Sequence, residues 1–241
     1  MKMEEKRILQ SFFVPGLLVF LMWLVKFTEW VFGLSFSFLG ITPLTAEGLP
    51  GILLSPFLHA DWNHLMANSL PMLVLGAALF YFYKPMAIKI MLLVAIITGI
   101  WVWVGARAAT HIGASGLIYG LTSFLMVSGF IRKETRLMAI SLIVVFMYGS
   151  FIWGIFPELF PEKNISWESH LSGMLSGLVL GIIFRDEGPQ RPQYSWEKEE
   201  AIEESTQDHT AHEKDGEQEY WNTPEPDQKD LTVLYRFRRN P

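Results

Sequence analysis

The sequence predicts an all-α polytopic membrane protein with a water-facing C-terminal tail, and three observations carry that reading. The chain is 51% hydrophobic over 241 residues, with a mean hydropathy of +0.28. Its apolar residues gather into six stretches of roughly 20 residues, the length of helix that crosses a bilayer. Charge divides the chain in two: residues 1–185 carry 12 Lys+Arg against 9 Asp+Glu, and residues 186–241 carry 7 against 15. One part suits an apolar solvent and the other suits water. The sequence therefore divides into a membrane domain, 1–185, and a tail, 186–241.

The expected spans are about 8–31, 64–83, 86–104, 115–131, 136–156 and 168–185. Each must be a helix, because lipid offers backbone groups no partners. The runs are too long, and alternate too little, for a barrel. The first follows a basic flank, MKMEEKR, but its apolar run continues through Trp30 and Val31 with no small-x-small site behind it. It reads as a retained span rather than a cleaved signal. The loop at about 32–62 is apolar, rich in Gly and Pro and nearly uncharged. It is expected to lie partly in the bilayer interface, packed against the helices. Asp61 stands where an N-cap of the second span belongs. Pro71, inside that span, leaves the Ala67 carbonyl without its helical donor.

With a cytoplasmic N-terminus, the inner side holds Lys2, Lys6, Arg7, Lys84, Lys89, Arg132, Lys133, Arg136 and Arg185, and the outer loops hold only Arg107 and Lys163. That asymmetry satisfies the positive-inside rule. Lys26, near the outer end of the first span, is close enough to Glu29 to pair with it. An even number of spans returns the C-terminus to the cytoplasm. The tail is polar, acidic and interrupted by prolines, so it buries too little to offset chain entropy and is expected to be disordered. It closes on a basic amphipathic stretch, LTVLYRFRR. The absence of cysteine excludes disulfides, a thiol nucleophile and thiolate metal sites. With no transit peptide, a bacterial plasma membrane is the expected location.

Polar side chains inside a membrane are costly, so they mark function. Three clusters stand out. In GASGLIYG, residues 113–120, Gly113 and Gly116 flank Ser115 at the outer start of the fourth span. Free backbone N–H groups there can stabilise an oxyanion. On its own this cluster reads first as a small-residue packing seam, since Gly116 and Gly120 form G-x-x-x-G. In SHLSGMLSGLVLG, residues 169–181, Gly173, Gly177 and Gly181 give the sixth span a smooth face. His170, three residues before Gly173, lies on the same side. Two glycine faces in contact would set Ser115 opposite His170, and both residues lie at similar depth. Tyr119, one turn below Ser115, could pack under the His170 ring. In HADWNHLMANSL, residues 59–70, His64 and Asn68 share a face of the second span, with His59 in the loop before it. Asn68 should point inward, where it can donate to a developing oxyanion. A metal site is poorly supported: there is no H-E-x-x-H, and no carboxylate is in register with the histidines. Glu168 is two residues before His170 and so points to the opposite side. A two-residue Ser–His pair is the economical reading.

Together the clusters resemble the rhomboid family of intramembrane serine proteases. The matching residues are His59, His64 and Asn68 in H-x-x-x-x-H-x-x-x-N, Gly113, Ser115 and Gly116 in G-x-S-G, and His170, Gly173 and Gly177 in H-x-x-G-x-x-x-G. The resemblance covers about residues 1–185. It implies a compact six-helix bundle with a water-filled cavity open to the outside. Ser115 would be the nucleophile and His170 the general base. His64, Asn68 and the Ser115 backbone N–H would form the oxyanion hole, and Tyr119 would stack on the catalytic histidine. The fifth span and loop 157–167 would match the gate through which substrate arrives sideways. The partners implied are single-span membrane proteins and the lipid bilayer. No cofactor, metal or nucleic acid is implied. Many relatives carry a Trp-Arg pair in the first outer loop, and this chain has none. A rival reading is a catalytically inactive rhomboid-like protein that binds membrane clients, against which the intact Ser115, His170, Gly113 and Gly116 weigh. Another is a transporter or channel, which would need charged residues lining a path through the spans.

Overall fold

A computed structural model describes residues 3–147 and 166–188. In chain order the helices are α1 (Met3–Ser11), α2 (Phe13–Phe32), α3 (Gly51–Leu54), α4 (Trp62–Phe82), α5 (Ala87–Gly105), α6 (Ser115–Arg132), α7 (Thr135–Met147) and α8 (Trp167–Ile183). Two 3-10 turns, Ser37–Leu39 and Ser55–Phe57, shape the loop between α2 and α4. Among the described residues, four segments are long and apolar enough to cross a membrane: Met3–Phe32, α4, α5 and α6.

The first helical segment begins earlier than the expected span. Glu4 and Glu5 sit in its first turn, where carboxylates favour a helix N-terminus. Arg7 Nη2 donates to the Tyr81 carbonyl at 3.0 Å, and the Tyr81 hydroxyl donates to Glu4 at 3.1 Å, fastening α1 to the end of α4. Pro15 cannot donate to the Ser11 carbonyl, and the chain breaks at Phe12 between α1 and α2. Pro15 packs onto α4 where Gly76 has no side chain; a Cβ there would lie 2.7 Å from the proline Cγ.

α6 is the centre of the bundle, packed against α4, α5, α7 and α8. Its contact with α8 is backbone on backbone. A Cβ on Gly173 would collide with the Gly116 carbonyl, and one on Gly177 with the Gly120 carbonyl. In a membrane such close approach supplies the dispersion attraction that holds helices together. Ser176 Oγ donates to the Gly173 carbonyl at 2.8 Å and lies 3.0 Å from Thr98 Oγ1. Its proton is committed to the carbonyl, so it accepts from Thr98 and ties α8 to α5. At the opposite end of α6, buried Arg132 donates to the Tyr83 hydroxyl and to the Phe184 and Glu187 carbonyls. Large apolar side chains such as Phe20, Phe27 and Trp30 face outward from α2.

The loop between α2 and α4 packs against α5, as expected of its apolar composition. Trp103 Nε1 donates to the Thr45 carbonyl at 2.9 Å, and Leu44 N donates to the Trp103 carbonyl at 3.0 Å. The expected fifth span is described only as far as Met147; its continuation to 156, loop residues 157–165 and the tail from 189 lie outside the described residues.

Candidate active site

The turn before α6 is built for a close approach. Gly113 has φ +113°, a conformation that a side chain disfavours. A Cβ there would also lie 2.7 Å from both Cε1 and Nε2 of His64. Gly113 N donates to the Ser55 carbonyl at 2.9 Å, so the loop between α2 and α4 fixes the turn. Ser115 then opens α6, where the first-turn amides have no partners within the helix.

His170 lies on the first turn of α8, and its Nε2 is 2.9 Å from Ser115 Oγ. The Tyr119 ring stacks on the imidazole, with centroids 4.2 Å apart and planes within 5°. Tyr119 thus holds the ring edge-on to the serine. Gly116 faces the Ser169 carbonyl, which would lie 3.1 Å from an added Cβ. The glycine faces therefore do bring Ser115 and His170 together. Glu168 turns away from His170: its Oε1 accepts from Arg107 N at 3.4 Å and lies 3.5 Å from Arg107 Nη1.

α4 supplies the third side of the site. Asp61 caps it, accepting from His64 N at 2.8 Å, which fixes the turn that aims His64 at Gly113. Asn68, one turn further along, is buried, and its Nδ2 has no acceptor among the described residues. An unpartnered buried amide is expensive, and this one lies 3.8 Å from where a Gly113 Cβ would stand. His59 sits in the loop, 3% exposed, with its ring edge against the His64 ring at 5.0 Å between centroids. Lys26 Nζ holds this loop, donating to the His59 and Ala60 carbonyls at 3.0 Å each while pairing with Glu29 at 3.0 Å.

Burial drives the His59 imidazole down to about 3, helped by the neighbouring His64 and Lys26 and opposed by the Phe57 backbone and Asp61. The Phe57 backbone is a loose neighbour, since neither ring nitrogen has a well-formed hydrogen bond. His59 is therefore neutral at physiological pH. A free histidine titrates near 6.5, so the unfolded chain binds the extra proton between that value and about 3. Stability must fall as pH drops through this window. The thermal midpoint in detergent should decline between pH 6.5 and 4, with a shallower slope in His59→Asn.

Sequence reasoning passed over His111, buried between the α2–α4 loop and α8, and the reach of Lys26 to the carbonyls at 59 and 60. The signal for His111 was its spacing: it precedes Ser115 by four residues, as Ser166 precedes His170.

Donors on α4, a serine opening α6 and a histidine opening α8 form one ordered set. A family model of the Rhomboid domain matches residues 47–187, a stretch that contains all of them. The chain belongs to the rhomboid family. It is similar to an uncharacterized protein of Mycobacterium tuberculosis, 38% identical over 172 residues covering 68% of this chain and 71% of the relative. An uncharacterized protein of Mycobacterium leprae is 35% identical over 170 residues, covering 68% of this chain and 67% of that one. Membership of the rhomboid family and the four long apolar helices make this a multi-pass membrane protein whose surroundings are a lipid bilayer.

Proposed function

We propose that the protein is an intramembrane serine endopeptidase in which Ser115 attacks a peptide bond of a membrane-spanning substrate and His170 is the general base. The observation that carries this reading is the 2.9 Å contact between Ser115 Oγ and His170 Nε2, with Tyr119 stacked behind the ring. A serine hydroxyl is a weak nucleophile until an aligned base takes its proton. His170 Nε2 accepts that proton as Oγ bonds to the scissile carbonyl. The carbonyl oxygen becomes an oxyanion, received by Asn68 Nδ2, the His64 ring and the Ser115 backbone N–H. The imidazolium returns the proton to the leaving amine, and the acyl-enzyme forms. Water, deprotonated by the same ring, then hydrolyses the ester and restores Ser115. Each oxyanion donor contributes roughly 3 kcal/mol to such a step.

A helical peptide bond is shielded by its own hydrogen bonds, so the substrate must unwind locally. Single-span proteins with small or helix-breaking residues near the outer face fit that requirement. The reading carries with it six spans and both termini in the cytoplasm of a bacterial cell. A catalytically inactive client-binding protein is the alternative, and it gives no reason for an unpartnered Asn68 amide beside an aligned Ser–His pair.

The test uses purified wild type and Ser115→Ala with a single-span substrate, with and without a chelator. Cleavage by the wild type alone, indifferent to chelator, is the expected result. Cleavage by both sinks the nucleophile assignment. Cleavage by neither across several substrates favours client binding.

A further inference from the structure

A second serine and histidine stand four residues upstream of the reactive pair, with the two residue types exchanged. His111 precedes Ser115, and Ser166 precedes His170. His111 Nδ1 lies 2.6 Å from Ser166 Oγ, which lies 2.6 Å from Ser169 Oγ. His111 Nε2 lies 3.1 Å from the Arg107 carbonyl oxygen. That oxygen can only accept, so Nε2 donates to it, and in that tautomer Nδ1 is the acceptor. Ser166 therefore donates to His111 and accepts from Ser169. The bonds run in one direction, from Ser169 through Ser166 and His111 to the Arg107 carbonyl.

This chain of bonds joins three parts of the molecule. His111 is 2% exposed, and its backbone pairs both ways with Ile41 of the α2–α4 loop, at 2.9 and 2.8 Å. Ser166 is the residue that starts α8; its carbonyl accepts from Ser169 N at 3.1 Å and from His170 N at 3.3 Å. Its hydroxyl caps no amide of that helix, because it is committed to His111. Ser169 in turn presses its carbonyl on Gly116, the neighbour of Ser115.

We infer that His111 is a positioning residue: through Ser166 and Ser169 it fixes the first turn of α8 against the segment that carries Ser115. It thereby sets the distance between Ser115 and His170. The catalytic consequence rests on the peptidase reading above. Reacting groups must stay within a few tenths of an ångström of alignment, and a misplacement of about 1 Å costs on the order of a hundredfold in turnover.

The experiment compares the full-length wild type with His111→Ala, His111→Asn, Ser166→Ala and the His111→Ala/Ser166→Ala double variant in detergent. One readout is amide hydrogen exchange in the peptide containing Ser169 and His170. The other is kcat and KM for a single-span substrate. Both alanine variants should exchange faster in that peptide and lose roughly ten- to a hundredfold in kcat, with KM held within about twofold. Asparagine at 111 offers an oxygen where Nδ1 stood and should recover most of the kcat. The double variant should be no worse than either single, because both remove one link. If His111→Ala does not fold, Ser166→Ala and His111→Asn carry the comparison. Unchanged exchange overturns the inference whatever the turnover. Faster exchange with unchanged kcat overturns it too, leaving His111 a structural anchor only. A wild type that never cuts overturns the peptidase reading alone, and exchange then still decides whether His111 holds α8.

Discussion

Alanine in place of His170 is expected to lower turnover by roughly 10⁴-fold or more while the protein remains folded. His170 Nε2 is the nitrogen within hydrogen-bonding reach of Ser115 Oγ, at 2.9 Å. Among the described residues, two nearby titratable groups are committed elsewhere. Glu168, two residues earlier, is turned to Arg107, and His111 is engaged with Ser166 and the Arg107 carbonyl. Combining Ser115→Ala with His170→Ala should cost no more than either alone, because the two act as one unit. Asn68→Ala should be milder, roughly 10²- to 10³-fold, since the His64 ring and the Ser115 amide remain as donors. The ranking is the test: initial cleavage rates of the variants, each checked for helicity and elution volume, should fall in that order. A His170→Ala protein within tenfold of wild type would sink the general-base role.

How much of this was legible in the sequence depended on the range of each interaction. The spacing of Gly173 and Gly177 gave α8 a smooth face, and a smooth face needs a backbone to meet; the Gly116 and Gly120 carbonyls are that backbone. The approach of Ser115 to His170 could thus be read from glycine periodicity and depth alone. The Lys26–Glu29 pair was legible because three residues on a helix is one turn. The other bonds of Lys26, to carbonyls 33 and 34 residues away, depend on how the α2–α4 loop folds back, and nothing local encodes that. His111 was harder to read for the same reason. Its spacing from Ser115 repeats that of Ser166 from His170, but Ser166, the partner that gives the spacing its meaning, lies 55 residues later. The early start of the first helix escaped notice because an apolar run marks where lipid begins rather than where a helix begins. Glu4 and Arg7, both bonded to Tyr81, extend it towards the water.

Alanine at Gly173 or Gly177 is expected to destabilise the protein by roughly 1–3 kcal/mol, the usual penalty for overpacking a tight interior. What each Cβ would meet is main chain: the Gly116 carbonyl in one case, the Gly120 carbonyl and Phe124 N in the other. A side chain can swing away, but main chain inside two packed helices cannot, so the helices must part. Gly181 gives a measured contrast, since its Cβ would meet the Val127 side chain at 3.0 and 3.1 Å, a smaller and more yielding obstacle. Gly16, in α2, has nothing within 4 Å, and alanine there should stabilise slightly by restricting the unfolded chain and favouring helix. Thermal unfolding in detergent should therefore rank Gly173→Ala and Gly177→Ala lowest, Gly181→Ala next, and Gly16→Ala at or above wild type. A Gly177→Ala protein melting with the wild type would refute the packing account. Activity adds a second axis. Gly173 lies one turn from His170, so parting the helices there also lengthens the Ser115–His170 contact. At Gly177 the strain falls a further turn away. Gly173→Ala should consequently lose more turnover than Gly177→Ala at equal loss of stability, which separates a seam that merely holds the bundle from one that also sets the geometry of its site.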